Sequence, residues 1–168
     1  MSTAFDETVT IMRGIASGDS SSGGINHSAS TAYLRGRDDS NVGLWRAGDT
    51  NLRTMLEPFV VLSLVGQQEI DKIACSAGSG SSQLKQVAMV IQMEIVTKGD
   101  AGFAIQDAIA DRLRVLFHKT SFSGLSGSVT WDMNRMIFTS EGHFPMAESD
   151  SRRRSYIRAR LDARRGAA

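Results

Sequence analysis

Several things are scarce in this chain of 168 residues. A single cysteine, Cys75, excludes an internal disulfide framework and argues against a secreted, stapled domain. It has no neighbours that mark a nucleophile, and its plain reading is a half-buried strand thiol. There are three histidines, His27, His118 and His143, and none stands at metal-ligand spacing from another His, Cys or acid. His118 ends an expected helix, where the backbone dipole favours its cation, so it reads as structural. Long apolar runs are missing: the longest, residues 59–65, has strand length, far short of the ~20 residues that span a bilayer. The first residues carry acids and no apolar core, so no signal peptide is expected. The Ser/Gly runs lack the Lys of a phosphate loop, and the carboxylates are scattered without a motif. The expectation is a soluble, intracellularly made, non-enzymatic protein without a cofactor, a metal or a membrane contact.

What is present describes a scaffold. Apolar residues make up 41% of the chain before its 16 glycines are added, an ordinary globular balance. Net charge is +1, but residues 152–168 hold seven Arg and one Asp, leaving −5 for the remainder. Such asymmetry points to a partner-facing surface. The clearest pattern runs from Ser82 to Lys119. Val87, Met89, Ile91, Met93 and Ile95 alternate with Gln86, Ala88, Val90, Gln92 and Glu94, the period of a strand with one face on a core. Lys98-Gly99-Asp100 ends it, with Asp100 placed to cap a helix. Ile105, Ile109, Leu113, Leu116 and Phe117 follow at helical spacing.

The rest is read in order. Residues 2–13 form a short helix with Phe5, Val9 and Met12 on one face, ending by Gly14. Ser17 to Thr31 is too rich in Ser and Gly to pack much, and reads as a surface loop or an arm that orders on a neighbour. Residues 32–54 are irregular, with Trp45 as a core or interface anchor and a short helix near Asn51–Leu56. Pro58 opens a strand over Phe59–Val65. Gly66-Gln67-Gln68 then bulges or turns, Glu69–Ser76 continues as strand, and Ala77–Ser82 loops into the long strand. Phe122, Gly124, Leu125 and Gly127 punctuate a loop after the helix. Ser128–Thr139 fits either a strand pair turning at Asn134-Arg135 or one bent strand, broken at Glu141–Pro145. Ser155, Ile157, Ala159, Leu161 and Ala163 alternate with Tyr156, Arg158, Arg160, Asp162 and Arg164, which predicts a final strand, although helix formers abound there. The fold class that follows is α+β: a small, mainly antiparallel sheet with one amphipathic helix packed across a face, plus an extended N-terminal segment. Residues 1–54 hold the N-terminal helix and arm, and residues 55–168 the core domain.

The Arg-rich strand has two readings. One is the solvated outer face of an edge strand, where charge blocks aggregation. The other is contact with an acidic protein surface or with phosphates. Tyr156 is the only aromatic within it, so a base-stacking platform is poorly supported. A nucleic-acid-binding module using these arginines stands as the alternative function.

The order of elements carries a resemblance. A strand after Pro (EPFVVLSLVGQ), a long alternating strand (VAMVIQMEI), a Gly-Asp-Ala-Gly loop, a helix (AIADRLRVLF), further strands and a final alternating strand (RRRSYIRARLDAR) follow one another from Leu56 to Arg164. This resembles the tail terminator, or tail-completion, proteins of long-tailed bacteriophages. The resemblance implies a small α+β subunit of a homo-oligomeric, hexameric ring. The ring caps the tail tube at its head-proximal end and joins it to head–tail connector proteins, with passing contact with DNA. It implies a location in the tail or neck of the virion, and in the host cytoplasm during assembly. A neighbouring head–tail stopper is the nearest variant. No catalytic, cofactor or metal residue carries over. The candidate interface is Arg152, Arg153, Arg154, Arg158, Arg160 and Arg164, the outer residues Gln86, Gln92 and Glu94, and Trp45.

Overall fold

The computed structural model describes residues 3–17, 25–28, 31–35, 41–48, 57–70, 85–99, 103–122, 131–145 and 151–165. Helix α1 spans Ala4–Ser17, and strands β1 (Ile25–Ser28), β2 (Thr31–Arg35) and β3 (Asn41–Arg46) follow. Then come β4 (Phe59–Ile70), β5 (Lys85–Lys98), helix α2 (Phe103–Phe117), β6 (Asp132–Met133), β7 (Ile137–His143) and β8 (Arg152–Arg165). The protein is α+β. Its strands join one sheet in the order β1-β2-β3-β4-β5-β8-β6, with β7 also on β8. Every described pairing is antiparallel except β3 with β4.

The centre of the sheet is where the alternation is strictest. Strands β5 and β8 pair without a break from Lys85↔Arg165 to Lys98↔Arg152. Because side chains alternate across a strand, this register stacks Met89 on Leu161, Ile91 on Ala159 and Met93 on Ile157, all buried on the inner face. Along β8 the small residues Ser155, Ala159 and Ala163 alternate with the large Ile157 and Leu161 on this face, so the layer interdigitates with what packs on it. Strand β4 adds Val60 and Leu62 to that face, and a bulge between Leu64 and Gly66 shifts its register against β5. The sequence expectation of a bulge or turn at Gly66 thus resolves as a bulge. The strand continues to Ile70, and residues 71–84, with the expected Cys75 strand and Ala77–Ser82 loop, lie outside the described residues.

Helix α2 lies on the inner face with Gln106, Ile109, Leu113 and Phe117 buried along one stripe. It stops where Lys119 takes a left-handed φ of 60°. There the Lys119 N–H donates to the Met136 carbonyl at 2.7 Å and leaves the helix ladder. Phe122, expected as loop punctuation, is buried edge-on to Phe117 at 6.5 Å.

Helix α1 is a second covering element. Thr3 and Asp6 form a reciprocal cap: the Asp6 N–H donates to Thr3 Oγ1 at 3.1 Å, and the Thr3 N–H to Asp6 Oδ2 at 3.2 Å. The helix runs past Gly14 to Ser17, beyond its expected end, because Ala16 is buried and Ile15 packs on the core. Phe5, Val9 and Met12 enter the same hydrophobic cluster as β5, β8 and α2. Residues assigned by sequence to the 1–54 segment therefore share one core with the 55–168 segment. Most of the expected Ser/Gly arm and the short helix near Asn51–Leu56 lie outside the described residues.

The sheet curls, and α1 shows it. Arg13 Nε donates to the Leu44 carbonyl on β3 at 3.2 Å, and Asp6 pairs with Arg46 of β3 at 2.7 Å. The same helix reaches the other side of the sheet, where Thr8 Oγ1 lies 3.3 Å from Met133 Sδ on β6. Next to it, the Trp131 N–H donates to Glu7 Oε2 at 3.0 Å. One helix can touch both β3 and β6, which have three strands between them, only if the sheet wraps around it. Residues 128–130 lie outside the described residues; over 131–139, of the two sequence readings, the bent strand is the one formed. Strands β6 and β7 both pair with β8, from Asp132↔Arg164 to His143↔Ser155, and continue through His143 rather than breaking at Glu141.

Candidate functional site: the outer face of the sheet

Register and alternation place Gln86, Ala88, Val90, Gln92 and Glu94 of β5 opposite Arg164, Asp162, Arg160, Arg158 and Tyr156 of β8 on the outer face. Neither described helix covers this face. Arg158 Nε donates to Gln92 Oε1 at 3.0 Å, and the guanidinium of Arg158 lies 5.0 Å from the Tyr156 ring centroid. Arg154 reaches Glu94 at 3.6 Å and sits over Phe144, whose ring is 5.2 Å from that of Tyr156. Arg160 Nε meets Asp162 at 3.2 Å. Arg152 pairs with Glu57 and covers the Phe59 ring at 5.4 Å. These contacts hold long side chains in fixed poses, which lowers the entropy lost when a partner binds.

The charge is therefore more balanced than the sequence count suggests. Glu57, Glu94 and Asp162 offset three of the five outward arginines. Arg164 is exposed and has no partner among the described residues. The pairs of Arg154 and Arg160 are solvent-facing on the arginine side and add little stability, about 0–1 kcal/mol each, so their value lies in orientation. At the β3 end the outer face turns apolar. Phe59, Val61 and Val96 form a separate small cluster with Trp45 packed against it. Trp45 lies across Gly43, and a Cβ there would fall 2.1 Å from its indole nitrogen.

The candidate interface residues thus fall into two groups. Arg152, Arg154, Arg158, Arg160, Arg164, Gln86, Gln92 and Glu94 share the outer face, with Trp45 at its apolar end. Arg153 belongs elsewhere: its register partner is Thr97, of inner parity. It donates to the Gly99 carbonyl at 3.2 Å and lies 4.2 Å over Phe103, the first residue of α2. Glu57, Phe144 and Tyr156 complete the face and were not among the sequence candidates. Alternation already put Tyr156 on the arginine face, whereas Glu57 and Phe144 are revealed only by their contacts with Arg152 and Arg154.

The inner side of the β7 edge holds a second feature. A pocket of about 290 Å³ opens between α2 and β7, lined by residues that include Gln106, Asp107, Arg114, Glu141, His143 and Tyr156. Arg114 bridges Asp111 and Glu141, and His143 sits edge-on to Phe103 at 5.1 Å. His118, by contrast, is engaged in the fold: its Nδ1 accepts the Phe138 N–H at 3.2 Å. Among the described residues no group of three or more His, Cys, Asp or Glu could hold a metal, and no helix is long and apolar enough to cross a membrane.

No family model and no curated protein matches the chain. Among solved structures, the chain is similar to one described as "Virion of native gene transfer agent (GTA) particle". The identity is 17%, the TM-score 0.43, and the match covers 72% of this chain and 78% of that one.

Proposed function

We propose that this chain is a virion structural protein of the long-tailed-phage type, acting as a tail terminator. It forms a homo-oligomeric ring at the head-proximal end of the tail tube and joins it to the head–tail connector. The observation that carries the reading is the outer face of β5 and β8. It is a broad surface that no described helix covers, built from side chains already held by one another. A rigid polar surface with an apolar end suits repeated protein contact, because partner groups meet preformed donors and acceptors. Strand–strand–helix–strands–strand, from β4 to β8, is the order the resemblance to tail terminators implies. Heterologous contacts between copies close into rings when the rotation closes, and they also cover exposed sheet edges. In this reading the protein is not an enzyme, and DNA passes without tight binding, since paired arginines offer phosphates less free charge.

Electron microscopy of the purified protein, alone and mixed with tail-tube subunits, tests this. Rings, or caps at tube ends, are the expected images. A protein that stays monomeric and never joins a tube or a connector would refute it.

A further inference from the structure

Helix α2 buries one stripe and leaves another bare. Phe103, Asp107, Asp111 and Val115 follow one another at the spacing that lines residues up along a helix, and all four are exposed. Phe103 is 50% exposed although Arg153 stacks on it, and Val115, at 70%, is the most exposed large apolar side chain among the described residues. Asp107 has no partner among the described residues, and Asp111 meets only Arg114. Glu141 stands beside them on the same arginine, so the acids here outnumber Arg114, while Arg112 is half-buried one position round the helix. Single exposed apolar residues are ordinary. What singles out this row is its match to the outer face of the sheet.

There, Arg158 and Arg160 are alternate residues of β8, ~6.6 Å apart along the strand. Asp107 and Asp111 are one turn apart, ~6 Å along the helix axis. In the row of Arg160, Val90 flanks it on one side and Ile137, 42% exposed, on the other. Both surfaces thus pair two charges at similar spacing with apolar neighbours, and the charges are of opposite sign. Arg158, Arg160 and Arg164 outnumber Asp162 on the outer face. Two outer faces meeting each other would set arginines on arginines, which like-charge repulsion opposes. Helix α2 packs on the inner face of the sheet, so its exposed row and the outer face lie on opposite sides of the subunit. A contact between them is heterologous and repeats from copy to copy, closing into a ring when the rotation closes.

We propose that the exposed row of α2 in one copy docks on the outer face of β5 and β8 in the next, with Asp107 and Asp111 pairing with Arg158 and Arg160. The inference rests on the homo-oligomer reading above and names the surface that the outer face meets.

A charge swap tests it, read by native mass spectrometry on the full-length protein with circular dichroism as the check on folding. One variant carries Asp107→Lys with Asp111→Lys, the other Arg158→Glu with Arg160→Glu. Each alone presents like charges on both surfaces and should assemble roughly a hundredfold or more weakly than the wild type. Mixed in equal amounts, they should regain assembly as alternating copies in equal numbers, because every contact again joins opposite signs. Val115→Glu, at an outward position, should also weaken assembly and stands in for the lysine variant if that one loses its fold. A folded lysine variant or Val115→Glu variant that assembles as well as the wild type overturns the proposal and leaves the homo-oligomer reading standing. So does a mixture of folded variants that assembles no better than its components. A wild type that is monomeric at every concentration overturns both.

Discussion

Truncating β5 one residue at a time separates its two faces by energy. Met89, Ile91, Met93 and Ile95 are fully buried between the neighbouring strands and the helices. Ile91→Ala removes three carbon groups, worth about 2.4 kcal/mol at ~0.8 kcal/mol each. The space left behind adds ~0.5–1.5 kcal/mol, since Leu64 and Ala159 on the flanking strands cannot collapse into it without shifting the ladder. The expected loss is about 3–4 kcal/mol. A domain's whole stability is ~5–15 kcal/mol, so this is a large share. For a chain of this size the melting temperature should drop by roughly 6–16 °C. On the outer face, Gln92→Ala loses its bond from Arg158 and should cost about 0.5–1.5 kcal/mol, and Gln86→Ala within ~0.5 kcal/mol. Urea denaturation, read as midpoints with an unchanged slope, gives these values directly. Gln86→Ala costing as much as Ile91→Ala would refute the assignment of faces. So would an Ile91→Ala loss below ~1 kcal/mol.

Three further outcomes follow. Ile109→Asp places a charge on the buried stripe of α2 with no cation to meet it, and circular dichroism should show an unfolded or molten chain. Gly43→Ala drives a methyl into the Trp45 indole and should cost about 1–3 kcal/mol, with a red shift in tryptophan emission as the ring leaves its cluster. Asp6 is held below its ordinary value of 3.8, chiefly by the Thr3 hydroxyl, with burial opposing and the Thr3 backbone N–H and Arg46 assisting. A carboxyl whose pKa falls on folding adds stability that is complete above about pH 5 and is lost as pH drops through its folded value. Asp6→Asn should therefore flatten part of the acid-side decline in melting temperature between about pH 5 and pH 2, leaving the curve above pH 6 parallel to the parent.

The parts of the fold legible in the sequence are those where one face is core and the other is not. In β5 and β8 burial follows odd-numbered residues without exception from Val87 to Ile95 and from Ser155 to Ala163. The strand at 152–165 resisted its helix-forming composition because pairing with β5 decided it. Strands β1 to β3 have no such period, and Gly, Asn and Arg within residues 25–46 disguise them as irregular chain. Whether residues 132–143 fold back on themselves or run along β8 depends on partners between 12 (His143↔Ser155) and 32 (Asp132↔Arg164) residues away, which local pattern does not contain. Gln106 was missed because polar residues on an amphipathic helix are read as outward. Arg153 was grouped with its neighbours by charge, although alternation alone puts it on the opposite side from Arg152 and Arg154. The outer face itself was legible as a row of residues, but its ordering by Glu57, Phe144 and Tyr156 was not.

The central claim is that the outer face of β5 and β8 is where copies of this protein meet. Native mass spectrometry of the wild-type protein beside a double variant, Arg158→Glu with Arg160→Glu, tests it most directly. Both positions point outward, so the variant should keep its circular dichroism and most of its thermal stability. The account predicts a closed homo-oligomer for the wild type and its dissociation in the variant. A wild type that is monomeric at every concentration, or a folded variant that assembles as well as the parent, would contradict it.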